Sequence, residues 1–159
     1  VGGIIGGNVS GTIIACSNSG LITGKSVGGI AGYANRSNII GCFNTANAMG
    51  IDSFAGAIAG ICNKVTACWS AASAITSTDS RKGGIVGWVF SDKAEYCYWK
   101  TTAGISSAAG SGNSENCAAF SGDAPSAVQI KAMNDAWQAA DATREYQFNA
   151  TTGMIEKKP

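Results

Sequence analysis

One block recurs four times along this chain of 159 residues: VGGIIG at residues 1–6, VGGIAG at 27–32, AGAIAG at 55–60 and KGGIVG at 82–87. A second landmark follows each block: IIACSNSG, IIGCFNTA, VTACWSAA and AEYCYWKT. The closing glycines of the first landmark are Gly6, Gly32, Gly60 and Gly87, and the cysteines of the second are Cys16, Cys42, Cys68 and Cys97. Both series keep nearly the same interval throughout. A weaker third segment completes the unit: GLITGKS from Gly20, NAMGIDS from Asn47, SAITSTDS from Ser73 and AGISSAAG from Ala103. Self-similarity at a fixed period, here roughly 27 residues, is the signature of a repeat architecture.

Each unit holds three short runs of four to six residues, bounded by Gly, Asn, Ser, Thr or Asp and carrying Val, Ile and aromatic side chains. Such runs are too short for helices and read as strands. A leucine-rich repeat of this period needs several Leu per unit, and the chain has only Leu21. The expected fold is an all-β solenoid: a right-handed parallel β-helix of about four coils, with copies at residues 1–26, 27–54, 55–81 and 82–110. The handedness follows the general preference for right-handed parallel crossovers. Stacked about 4.8 Å apart, equivalent residues form ladders. Cys16, Cys42, Cys68 and Cys97 make one, and Ile4, Ile30, Ile58 and Ile85 another. Both are expected to point inward, since a coil buries its apolar side only against its neighbours.

The unit VGGIAGYANRSNIIGCFNTANAMG resembles the GLUG-motif repeat of bacterial surface proteins and of IgA1-protease precursors. The matching part is Gly-Gly-Ile-x-Gly followed by Ile-x-x-Cys-x-Asn/Ser, over roughly residues 1–109. Ala57 in copy three and Lys82 in copy four depart from the pattern. The resemblance implies a secreted or surface-attached bacterial protein with an adhesin-like role. It brings no catalytic residues.

Composition narrows the function classes. The 22 glycines, with only 2 prolines and no strict Gly-X-Y period, fit tight turns and close backbones, not collagen or a disordered linker. A net charge of +1 without a basic stripe lacks the footprint of a nucleic-acid binder. No apolar run is long enough to span a membrane. With no His, imidazole chemistry is excluded, and the nearest cysteines, Cys62 and Cys68, are too far apart for a zinc ligand pair. No metal or cofactor is expected. The chain opens at Val1 inside a repeat unit, so it reads as a piece of a longer protein, with preceding coils or another domain of the parent chain as neighbour.

The period fails after about residue 110, and residues 111–159 read as an irregular segment, in which Cys117 and Phe120 fit one further irregular strand, with one helix near 126–142. Pro125 precedes it, and Ser126 with Gln129 fits a capping box. Val128, Met133, Ala136, Trp137 and Ala140 fall near one face. This helix and the tail YQFNATTGMIEKKP are expected to cap the last coil, since terminal repeats close a stack.

Each candidate for chemistry has two readings. The cysteine ladder is either a redox centre or a column of small buried hydrophobes, with Cys62 and Cys117 open to other pairings. Phe43, Trp69 and Tyr98, each following a ladder Cys, point outward by strand alternation. They form either an exposed aromatic column for a glycan or host protein, or a surface packed under the C-terminal segment. Tyr33 and Trp88, each after a closing Gly, occupy a second such position. Asp52 and Asp79, one period apart, are either a carboxylate pair of a polysaccharide-active site, with Arg81 and Lys82 nearby, or turn residues. Sequons at Asn8, Asn35 and Asn149 carry little weight in a bacterial protein. The expected function is a non-catalytic extracellular module acting in adhesion or as a spacer.

Overall fold

The two landmarks fold into successive turns of a parallel β-solenoid of about four coils, in a computed structural model that describes residues 1–7, 10–102 and 104–159. The sequon asparagine Asn8 and the start of the fourth third-segment, Ala103, lie outside the described residues. Each coil contributes up to four strands, one more than expected. The glycine block divides into a two-residue strand and the start of a long one. The short strands Val27–Gly28, Ala55–Gly56 and Lys82–Gly83 make a glycine face. The long face stacks Ser10–Ile14, Ala31–Ile40, Ala59–Thr66, Val86–Glu95 and Ala109–Glu115. The post-cysteine face stacks Ser17–Asn18, Phe43–Asn44, Trp69–Ser70, Tyr98–Lys100 and Ala118–Phe120. A three-stranded face, Ile22–Gly24, Ala48–Gly50 and Ile75–Thr76, closes the turn. Every pair within these faces is parallel, as in Ser10 opposite Arg36 or Trp69 opposite Tyr98. The stack continues beyond residue 110, because Ala109–Glu115 and Ala118–Phe120 add a fifth rung to two faces.

The isoleucine ladder runs through the glycine corner. Ile4 N–H donates to Ile30 O at 3.1 Å, Ile30 to Ile58 at 2.9 Å, Ile58 to Ile85 at 2.8 Å and Ile85 to Ala108 at 2.9 Å. Ile30, Ile58 and Ile85 are fully buried. Ile4 is 49 % exposed, because the first coil has a neighbour on one side only. The residue before each ladder Cys is left-handed in every coil: Ala15 (φ 53°), Gly41 (62°), Ala67 (53°), Tyr96 (50°) and Asn116 (53°). That kink turns the chain from the long face to the post-cysteine face and aims the following thiol inward.

The second glycine of the block explains why copy three departs. A Cβ at Gly29 would lie 2.4 Å from the Asn44 side chain, and one at Gly84 would lie 2.2 Å from Trp99. In copy three the partner position holds the smaller Ser70, in register with Asn44 and Trp99, and Ala57 fits opposite it. At Gly29 the Ala57 carbonyl oxygen, 2.3 Å from where a Cβ would stand, crowds the position as closely as the facing side chain does.

The helix spans Ala127–Ala140, with Ser126 as N-cap and the reciprocal Ser126–Gln129 capping box formed. Its buried residues are Ile130, Met133 and Trp137. Val128, expected on the inner face, is 80 % exposed, since Ile130 takes the core position in its place. The tail forms its own antiparallel hairpin, Tyr146–Phe148 with Ile155–Lys157. Asn134 ties the two together: its amide donates to Phe148 O and accepts from Phe148 N–H, both at 2.8 Å. Helix and hairpin cover the flank of the solenoid. Their apolar residues pack with Ile40, Phe43, Ala67, Trp69, Tyr98 and Phe120, contributed by four successive coils. Among the described residues no helix is long and apolar enough to cross a membrane.

Candidate functional site

The five ladder thiols are positioned alike. Each Sγ–H donates to the carbonyl two residues back, at 3.2–3.4 Å in the pairs Cys16–Ile14, Cys42–Ile40, Cys68–Thr66, Cys97–Glu95 and Cys117–Glu115. Backbone N–H groups of Cys16, Cys42 and Cys97 donate to the next rung's sulfur at 3.4 Å. All six cysteines are free thiols. Cys42, Cys68 and Cys97 are fully buried, while Cys16 and Cys117 at the ladder ends are half-buried. Burial pushes the Cys68 and Cys62 thiols above their ordinary range. Reactive cysteines need exposed, electropositive surroundings, which the interior rungs lack. Cys62 belongs to a separate column, between Ala34 and Val89. The fifth rung, Cys117, escaped the periodicity because it follows Cys97 by 20 residues, short of a full period.

The column Phe43, Trp69 and Tyr98 does point out of the coils, and the structure covers it. Only 5 %, 1 % and 7 % of these residues is exposed. Phe43 and Trp69 stack at 5.1 Å, Phe120 meets Trp69 edge-on at 6.3 Å, and Trp69 Nε1 donates to Gly153 O at 2.9 Å. Of the two readings, the surface packed under the C-terminal segment is the one the structure shows: the column is an internal seam between solenoid and tail. Its outward direction needed a cover, and the amphipathic helix supplies one.

The second aromatic position is only partly covered, with Tyr33 exposed and Trp88 half-buried. Tyr33 and Trp88 lie in one outward column of the long face, separated by Ile61. Phe90, two residues after Trp88 on the same strand, packs edge-on against it at 5.3 Å and is 54 % exposed. Phe54, just before the next glycine face, stacks on Trp88 at 5.4 Å. The Arg81 guanidinium lies 4.0 Å above the Phe54 ring. Asp79 holds it there, accepting from Arg81 Nε at 2.9 Å, Nη2 at 2.6 Å and backbone N–H at 2.8 Å. Those hydrogen bonds hold the Asp79 carboxyl down at about 2. Strand alternation carried the signal for Phe90. Arg81 was legible only as a neighbour of Asp79, and Phe54, arriving from another turn, had no signal.

The remaining carboxylates of the repeat region are engaged as well. Asp52 accepts from Thr78 Oγ1 at 2.6 Å in a left-handed turn. Glu95 meets Lys64 at 2.8 Å and Lys93 at 3.4 Å, and Lys93 also meets Glu115 at 2.5 Å. Burial alone would raise Glu95, yet the hydrogen bonds from Lys64 and Thr66 hold it below the ordinary range. Beside this network, a shallow groove of about 320 Å³ runs between Tyr96 and the helix residues Ala132, Ala136 and Ala139. Among the described residues no group of three or more His, Cys, Asp or Glu could hold a metal ion.

No family model, curated protein or solved structure matches the chain.

Proposed function

We propose that this chain is a non-catalytic repeat module of a bacterial surface protein, acting in adhesion or as a spacer, as its likeness to the GLUG repeat implies. What supports the reading is the contrast between a saturated interior and one partly exposed aromatic face. The inward thiols, amides and isoleucines are consumed in ladders, while the exposed Phe90 and the half-buried Trp88 and Phe54 form a contiguous patch on the outer surface. Contiguous exposed apolar patches mark interaction sites.

A polysaccharide-active enzyme on the same architecture has less support. It would need two carboxylates placed to face one glycosidic bond, and Asp52 and Asp79 are each occupied by a local partner. Fold alone does not confer that activity.

The test is to present the purified protein to glycan arrays and to immobilised matrix proteins, and to incubate it with a polysaccharide panel. Binding without depolymerisation is the expected outcome for adhesion. No binding anywhere leaves the spacer role, and release of unsaturated sugar products would overturn the non-catalytic reading.

A further inference from the structure

We propose that the outer face formed by Trp88, Phe90, Phe54 and Arg81 binds a neutral oligosaccharide; the proposal rests on the module reading and names its ligand class.

Phe54 and Phe90 both contact the Trp88 ring, at 5.4 and 5.3 Å. Trp88 and Phe90 lie on the inner strand Val86–Glu95, whose register is pinned at Trp88 by Ile61 on one side and Ser111 on the other and shifts on both sides around Phe90. With a neighbouring strand on each side it is not a sheet edge, so a peptide has no open strand here to extend by backbone hydrogen bonding. What the face offers instead is rigid aromatic surface for apolar C–H faces. Beside it is a planar donor fixed in place. A guanidinium has five N–H donors, and Asp79 takes two of them. The others remain for hydroxyl oxygens. Because Asp79 neutralises it, Arg81 brings no net positive charge to select a phosphate or a carboxylate. A second polar row runs along the same long face, where Asn63 Nδ2 donates to Asn38 Oδ1 at 3.1 Å and Ser91 Oγ donates to Asn63 Oδ1. Rings beside amides and hydroxyls, with the neighbouring charges paired to one another (Arg81 with Asp79, Lys64 with Asp92 at 3.9 Å), match a ligand that has apolar faces, many hydroxyls and no charge.

The experiment is affinity electrophoresis of the whole chain in gels containing neutral polysaccharides, with tryptophan fluorescence titrated against the matching oligosaccharides. Trp69, Trp99 and Trp137 are buried, so a fluorescence change reports Trp88. Retardation and a fluorescence shift are expected, with retardation weakened at least roughly tenfold in Trp88→Ala and in Phe90→Ala, and the fluorescence titration, whose reporter is Trp88, weakened likewise in Phe90→Ala. Phe90 is the more exposed, so its variant keeps the fold and its melting curve serves as the control. Absence of retardation in every neutral polysaccharide overturns the proposal and leaves the module reading standing. Retardation unchanged in both variants overturns the assignment to this face. A fluorescence shift with a proline-rich peptide, or with protein concentration alone, while sugars have no effect, overturns it in favour of a peptide or a second copy. Shortening of the polysaccharide during the run would overturn the non-catalytic reading and leave binding at this face intact.

Discussion

At the scale of single residues, the left-handed position before each thiol decides most. A non-glycine residue there costs about 1–2 kcal/mol, and four coils accept that cost with Ala15, Ala67, Tyr96 and Asn116. Coil two uses Gly41 for a second reason: a Cβ on it would lie 2.4 Å from the Trp137 ring. Gly41→Ala is therefore expected to destabilise by about 2–3 kcal/mol, the left-handed cost plus displacement of Trp137. Ala15→Gly relieves the left-handed cost but gives up a methyl packed on the seam, and with glycine's extra unfolded-state entropy it is expected to change stability by less than about 0.5 kcal/mol. Urea denaturation of the two variants measures both, and equal effects would refute the account. The repeat was legible at this position only as "residue before Cys". Ala, Gly, Tyr and Asn share no side-chain property, so the common backbone conformation left no trace in composition.

At the scale of elements, strands are held across coils by charges and the helix is held by its cap. Glu95 joins two lysines, one on its own strand and one on the neighbouring strand, and accepts from Thr66 Oγ1 at 3.0 Å. Its folded pKa is depressed below 4.5, so its contribution is complete above that value and is lost as pH falls through the folded pKa. Acid denaturation should steepen below about pH 4.5 in the wild type and flatten there in Glu95→Gln. A pH profile identical in both would sink the assignment. Ser126→Ala removes the side-chain acceptor of the capping box and should cost about 1 kcal/mol. If the helix and its hairpin form one cooperative unit with the solenoid, thermal unfolding followed by near-ultraviolet circular dichroism and by backbone signal should shift together. The helix and its capping box were readable from Pro125, Ser126 and Gln129. Which side of it faces inward was only partly readable, because Val128 and Ile130 are equally apolar and the flank it meets decides between them.

At the scale of the whole molecule, the solenoid turns a periodic sequence into stacked columns, and burial grades along each column from ends to middle. That grading has a chemical consequence: the ladder thiols should react unequally. In native protein a thiol reagent should modify Cys16 and Cys117 first and leave Cys42, Cys62, Cys68 and Cys97 unmodified; after denaturation all six should react. Mass mapping of the labelled cysteines checks the order, and early labelling of Cys68 would contradict it. The repeat period, the strand type and the inward Ile and Cys ladders were determined by sequence alone, because they depend on spacing and on neighbours one repeat away. Three things were decided only by tertiary structure. Phe43, Trp69 and Tyr98, which the sequence left between an exposed column and a surface under the C-terminal segment, became an internal seam, because the helix and hairpin fold back over them. The stack gained a fifth rung at Ala109–Glu115, where strand pairing continues without the motif. Phe54, Arg81, Trp88 and Phe90 converged on one partly exposed face, because stacking brings residues from separate coils within one ring's width. Local pattern sets which way a side chain points. What it meets there depends on chain segments too distant in sequence for any period to record.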